Sequence, residues 1–279
     1  MIQEIRRQKR FFFLQTAVVF AGMVVLLLIS GLQVLGATGL ALAVGTIVFA
    51  GVWTQQQASA VRPANASQIS RQEAPELFRI VEHLSHQAGL SNKPAVYALH
   101  APVLNAATLG SVQQPLLVVT PMLARALTVR ELSGVLAHEL SHIRHRDLAF
   151  FRIVEVVSTI TIVISRLGWL MLLLYLPLTL GSSASVPFSV IVVLLMAPLA
   201  SVMLQLGLSR SREYAADLGA IELTEDPDGL ASALQKIDNI GKSYLQHVLP
   251  VPRQRDSSVF RTHPPTATRV ERLHALSRG

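Results

Sequence analysis

The sequence predicts a mainly α membrane protein: four transmembrane helices, with an α+β domain and a small sheet outside the bilayer. Three observations predict it. Of 279 residues, 51% are hydrophobic and only 15% charged, where an ordinary soluble domain has about 25% charged. The apolar residues gather into four runs, each about as long as a bilayer core is thick. Between and after them lie polar stretches in which Gly, Pro and β-branched residues punctuate short helical and extended patterns. The composition also excludes functions. There is no cysteine, which removes disulfides, thiolate metal sites and cysteine nucleophiles. The formal charge of +7 is not accompanied by an aromatic-interleaved basic patch or an RNA motif, so nucleic acid is not an expected partner.

The elements follow in chain order. Phe11 to Ile29 is interrupted only by Gln15 and Thr16 and spans about 28 Å as a helix. A short Gly-containing link at 30–36 leads to a second run ending at Trp53. Arg6, Arg7, Lys9 and Arg10 ahead of the first run resemble the charged start of a signal peptide. A signal core is only about 7–15 residues, however, and here a second span follows at once. Residues 1–53 therefore read as a transmembrane hairpin, with spans at about 11–29 and 35–53. Residues 153–208 read as a second hairpin, with spans at about 153–176 and 186–208.

Basic residues set the orientation. The N-terminus and the 54–152 stretch carry many Lys and Arg, among them Arg62, Arg71, Arg79 and Lys93, whereas the links at 30–36 and 177–185 carry none. Positive-inside bias puts both termini and the 54–152 stretch of this multi-pass chain in the cytoplasm. Arg166 lies inside the third run, at a cost of roughly 2.5–3.5 kcal/mol near the bilayer centre. Glu155 shares its helical face, three turns away.

The non-membrane residues come in two pieces, 54–152 and 209–279. The first opens on a Gln/Ala/Ser-rich linker, then a helix from about Pro75 to Gln87 closed by Gly89. "PAVYALH" and "PLLVVT", with "LNAATLG" between them, read as a small sheet. Thr128 with Glu131 forms a capping box, opening a helix that runs on through "VLAHELSHIRHRD", Val135 to Asp147. The second piece begins with a helix through "SREYAADLGAIEL". Another helix follows Asp226-Pro227, then a Pro/Arg/Ser loop and a short helix after Pro264-Pro265.

His138 and His142 are one turn apart on a helix, so both imidazoles can reach a single ion, and Glu139 is beside them to address a water on that ion. Zinc needs a third protein ligand and keeps a fourth position for water. His145 is nearest in sequence, but on a continuous helix it is two turns from His138, too far to share an ion at ~2 Å bond lengths. Glu213 is the better candidate. Asp217 follows one turn later on the same face, placed to hold a ligand histidine by its second nitrogen. Topology agrees: two apolar runs separate His142 from Glu213, so the chain returns to the side it left. The ion would then lie close to the membrane surface.

With these residues in place, the chain resembles the HtpX-type membrane zinc metallopeptidases, relatives of the CAAX prenyl endopeptidases. The resemblance covers nearly the whole chain. It includes the N-terminal hairpin, "LNAATLG" followed by "LLVVTPML", "VLAHELSHIRHRD", the second apolar pair, "SREYAADLGA" and "THPPTATRVERL". It implies a zincin-like (gluzincin) catalytic domain and one zinc ion per chain held by His138, His142 and Glu213. It also implies Glu139 as the catalytic acid/base, Asp217 in the second shell, and cytoplasmic proteolysis of membrane proteins as quality control. One departure is the stretch Asn105-Ala-Ala-Thr-Leu-Gly110, where such proteins often read Asn-Ala-Phe-Ala-Thr-Gly.

The expected chemistry is a zinc-activated water whose proton passes to Glu139 and then to the leaving amine. His263 and Arg269 are candidate oxyanion helpers, and a substrate strand could join the sheet edge near Asn105 to Gly110. The expected partners are protein substrates in or at the membrane, and the bilayer itself. Two other readings stand beside this one: a membrane metal transporter, which would place its ligands within the spans, and a non-catalytic membrane scaffold with a zinc site. Asp147 is expected to tie down the end of the motif helix rather than to ligate.

Overall fold

The computed structural model describes residues 2–56, 65–110, 113–179, 186–248 and 264–278. Most of the expected linker after Trp53, most of the 177–185 link, the Pro/Arg/Ser loop and His263 lie outside the described residues. The chain divides into two compact units, one of Met1–Phe13, Gln57–Leu148 and Arg210–Gly279, the other of Leu14–Gln56 and Ala149–Ser209.

The second unit is helical. Three helices among the described residues are long and apolar enough to cross a membrane: α1 (Ile2–Gln56), α5 (Asp147–Thr179) and α6 (Phe188–Thr224). α1 contains a break. Gly36 has φ +61 and ψ −144, outside helical values, a conformation that glycine reaches without a Cβ clash. The chain doubles back there. A Cβ on Gly39 would come within 2.1 Å of the Gly31 carbonyl oxygen, yet residues eight apart on a straight helix are about 12 Å apart. Glycine at both positions lets the two arms touch through backbone, as small residues do between membrane helices. Met23, Leu27 and Ala43 of α1 share a core with Val154, Val157 and Ile164 of α5 and Leu208 of α6. Inside it, Ser201 donates to Ser158 at 2.9 Å.

The first unit carries the sheet. β1 (Ala66–Gln68), β2 (Ala95–Leu99), β3 (Ala106–Gly110) and β4 (Pro115–Val119) are ordered β1-β2-β4-β3. β2 and β4 run parallel, and both edge strands pair antiparallel. β4 is buried along its whole length, which fits its unbroken run of apolar residues. β3 is an edge strand. β1 comes from residues that carry no strand signal in the sequence.

The starts of α1 and α5 and the following helical segments complete this unit. α2 (Pro75–Gln87) starts on a proline, and Gly89 just beyond it has φ +64, so proline and glycine bracket it as helix ends favour. α3 (Pro121–Ala126) is capped by Thr120. α4 (Val129–Arg144) opens on the expected capping box, with both Thr128–Glu131 bonds formed. The end of α6, α7 (Pro227–Val248) and α8 (Thr266–Ser277) supply the rest. α4 does not continue through Asp147 as the sequence predicts. It stops at Arg144, Arg146 takes φ 56, and a new helix begins at Asp147. Leu136 and Leu140 of α4, Ile221 of α6, Leu230 of α7 and Leu273 of α8 are at most 2% exposed and form the centre of this core.

Glu131 ties the start of α4 to α7. It is 7% exposed, and burial works against its charge. The Thr128 backbone N–H, Ser232, Lys236 and the Thr128 hydroxyl outweigh burial and bring its pKa to about 2. A folded pKa below the unfolded value gives stability that is present above about pH 4.5 and is lost as pH falls toward 2. Thermal unfolding in detergent should show Glu131→Gln less stable than wild type at pH 6, with the gap narrowing steadily between pH 4.5 and 3. A gap independent of pH would contradict this account.

Candidate metal centre and active site

All described residues of the site belong to the first unit. His138 and His142 lie on α4, one turn apart, with their Nε2 atoms 3.3 Å apart. Glu213 of α6 meets them: its Oε2 is 3.5 Å from His138 Nε2 and its Oε1 is 3.8 Å from His142 Nε2. One ligand atom from each of the three lies within 4.8 Å of the others, and they form the one such group found among the described residues. His138 and Glu213 are buried, at 7% and 5% exposure.

Both rings are held from behind. His138 Nδ1 is 2.9 Å from Asp217 Oδ1, and His142 Nδ1 is 2.7 Å from Asp147 Oδ2. Each Nδ1–H therefore donates to a carboxylate, which leaves Nε2 of each ring as the nitrogen that can turn a lone pair toward the shared point. Behind the carboxylates are two arginines. Arg269 of α8 forks onto Asp217, with Nε at 2.8 Å and Nη2 at 2.5 Å, and its Nη1 is 3.5 Å from Glu213 Oε2. Arg212, next to Glu213, donates to Asp147.

The electrostatics follow from this ring. Burial alone would lower the His138 pKa, but Asp217 and Glu213 push it up to about 10, so the surroundings favour positive charge at this imidazole. Burial opposes the Asp217 carboxylate, yet Arg269, followed by His138, holds its pKa below the ordinary aspartate value.

Zinc fits this donor set. Tetrahedral bonds of about 2.0–2.1 Å to nitrogen put neighbouring donors about 3.3 Å apart, the separation of the two Nε2 atoms. Charge agrees as well. Glu139, Glu213, Asp217 and Asp147 set four carboxylates against the guanidiniums of Arg212 and Arg269, a formal deficit that one divalent cation cancels.

Glu139 is half-buried and faces the same cleft. The Thr108 hydroxyl of β3 is 3.1 Å from its Oε2 and 3.0 Å from its carbonyl oxygen. The cleft, about 460 Å³, is lined by Asn105, Ala106, His138, Glu139, Glu213 and Arg269, with an apolar wall of Val135, Leu230, Leu234 and Ile237. Asn105 itself is exposed, its backbone anchored to Thr120. Arg269, a candidate oxyanion helper, pairs with Asp217 and also lines the cleft. His145 stays out of the cluster: it caps α4, its Nδ1 is 3.1 Å from Ser141 Oγ, and burial with Lys9 beside it lowers its pKa to about 4.

Two contacts escape sequence reasoning. Asp147 does more than end a helix, because the turn at His145 and Arg146 swings its carboxylate back under His142. Thr108 joins the sheet to Glu139, and its place on an inward-facing strand position was the only available signal.

A helical scaffold bearing buried His-Glu-x-x-His with a distant Glu, together with membrane-length helices, defines a membrane metallopeptidase. The chain belongs to peptidase family M48, which it matches over residues 71–277, and within it to the HtpX type. It is 30% identical to the protease HtpX homologue of Paraburkholderia phytofirmans, over 96% of this chain and 98% of that one. It is 32% identical to the homologue of Polynucleobacter necessarius, over 96% and 97%. It is 36% identical to that of Pyrococcus furiosus, over 76% and 77%.

The approach of α6 to α4 depends on Gly219, two residues after Asp217. A Cβ there would sit 1.9 Å from Ser141 Oγ and 2.9 Å from Ser141 Cβ. Alanine would favour the helix by about 0.8–1.0 kcal/mol in isolation, but here it must push the two ligand-bearing helices apart. Gly219→Ala should therefore retain less zinc after dialysis against a weak chelator, measured by metal analysis. Asp147→Ala, which frees the His142 ring, should weaken zinc about 10- to 100-fold in a competition titration. Wild-type affinity in Asp147→Ala would remove that carboxylate from the site.

Proposed function

We propose that this chain is a zinc-dependent endopeptidase that hydrolyses membrane-associated or misfolded proteins at the cytoplasmic face of the cell (inner) membrane, as proteolytic quality control. In this reading the chain crosses the membrane four times, with α1 crossing twice about Gly36, and its termini and the first unit are cytoplasmic. The observation that carries the reading is the meeting of two imidazoles and Glu213 at one point, with Glu139 facing the adjoining cleft.

His138, His142 and Glu213 would hold the zinc ion. When bound, zinc supplies a Lewis acid and a water of lowered pKa. Glu139 takes the proton of the attacking water and returns it to the leaving amine. Thr108 fixes the Glu139 carboxylate for that transfer. Asp217 and Asp147 hold the two imidazoles in the ligating tautomer, Arg269 favours the charged form of Asp217, and Arg212 anchors Asp147 by a hydrogen bond. A substrate strand adds to the free edge of β3 near Asn105, where backbone bonding gives affinity with little sequence demand. His263 remains a candidate oxyanion helper.

A metal transporter would carry its ligands inside the apolar helices. The three-ligand group instead belongs to the first unit, which favours the peptidase. Glu139→Gln should retain one zinc per chain and lose hydrolysis of an unfolded membrane protein, by at least about 100-fold for loss of an acid/base group. Turnover equal to wild type in the zinc-loaded variant would rule Glu139 out as the base. Loss of zinc along with activity would make its role structural.

A further inference from the structure

We infer that the outward face of α5 is a docking surface for a transmembrane helix carrying an unpaired carboxylate, the chemistry of a membrane subunit separated from its partner. This deepens the proposed function by naming a substrate class, and it rests on that reading only for the cleavage that follows docking.

Val154, Val157, Ser158, Thr161, Ile164 and Ser165 of α5 are turned into the helical unit, each at 5% exposure or less. The opposite face carries Glu155, Thr159, Val163, Arg166 and Leu170, all exposed. The interval from Glu155 to Arg166 closes about three turns, which puts the two charges on one stripe about 16 Å apart along the axis. Among the described residues, no hydrogen bond or ion pair reaches either charge. Arg166 lies well inside the apolar run, more than one helical turn (~5.4 Å) from either end, so its head group does not leave hydrocarbon by a short reach along the helix. Charged groups at such depth normally face a bundle interior and are paired. Among the described residues no such partner is present, and we assign that part to the docking helix.

Charge selects the occupant. Two copies in one orientation, related by an axis along the membrane normal, would set Arg166 against Arg166 and Glu155 against Glu155, so a second copy is rejected. An ordinary membrane helix carries Lys or Arg at its cytoplasmic end. That cation meets Glu155, which is near the Asp147 end of α5. An Asp or Glu about three turns deeper then meets Arg166. In an assembled complex such an acid is already paired, so it is exposed for docking only in an orphan subunit.

The test uses the full chain carrying Glu139→Gln, fluorescently labelled, in phosphatidylcholine vesicles. The probe is a synthetic Leu/Ala transmembrane peptide with Lys at one end and Asp at its centre, compared with the same peptide carrying Leu at the centre. Energy transfer should show the Asp peptide bound about 5- to 30-fold more tightly. Arg166→Leu, which removes a charge from an apolar helix and so does not threaten its insertion, should abolish the preference, and Arg166→Lys should keep it. Equal binding of the two peptides, or a preference that survives Arg166→Leu, overturns the docking surface. Hydrolysis of an unfolded membrane protein by the wild-type chain is read separately. Its absence would sink the peptidase reading while leaving the peptide-binding result to decide the docking surface.

Discussion

Everything in the first unit answers to one constraint: several like charges must be buried around a point where two imidazoles meet. Carboxylates at Glu213, Asp217 and Asp147 are each at most 5% exposed, and removing such ions from water is tolerable only with compensating charge and hydrogen bonds. Arg269 and Arg212 provide part of that compensation, and a divalent cation held by the His138, His142 and Glu213 group would provide the remainder. This explains why the cluster draws on four helices. α4 brings the rings, the start of α5 brings Asp147, α6 brings Arg212, Glu213 and Asp217, and α8 brings Arg269. A metal centre built this way couples binding to folding, because ligand orientation is enforced by groups that are themselves held by charge.

The connectivity is consistent with that constraint. The chain leaves the first unit after Leu148 and re-enters it at Arg210, so Asp147 and Arg212 stand at the exit and the re-entry of the apolar excursion. Their hydrogen bond closes the excursion within the same unit and simultaneously holds His142. Gly219 performs the matching task two residues beyond Asp217, allowing α6 to approach Ser141 on α4. A residue of poor helix propensity is retained there because close packing outweighs intrinsic preference.

Much of this was legible in the sequence, for physical reasons that differ by residue. His138, Glu139 and His142 could be read because a helical period fixes their mutual geometry. Glu213 and Asp217 repeat that period one helix away, and the even number of apolar runs between the two pairs returns the chain to one side. The capping box at Thr128, the stop at Gly89 and the helix start at Pro227 are local chemistry and came out as expected. What could not be read depends on departures from local rules. Arg146 adopts a left-handed backbone that glycine or asparagine would ordinarily signal, so the break that aims Asp147 at His142 is silent in the sequence. β1 lies in a polar stretch and gains its strand form from pairing with β2. Arg269 looks like a surface charge until α8 is packed against α6.

The two places where a substrate could be recognised read different properties of it. A peptide on the edge of β3 would be held through its backbone, with Val135, Leu230, Leu234 and Ile237 offering only an apolar wall. Such a cleft discriminates weakly between sequences, because a missing or added methylene changes binding by only about 1–3 kcal/mol. Selection must then come from elsewhere, or any accessible strand would be cut. A lipid-facing charge is suited to that task, since an uncompensated acid in hydrocarbon is a property of a protein's assembly rather than of its sequence near the cleavage point. Dividing recognition in this way would let one permissive cleft serve many membrane proteins while sparing those whose intramembrane charges are already satisfied.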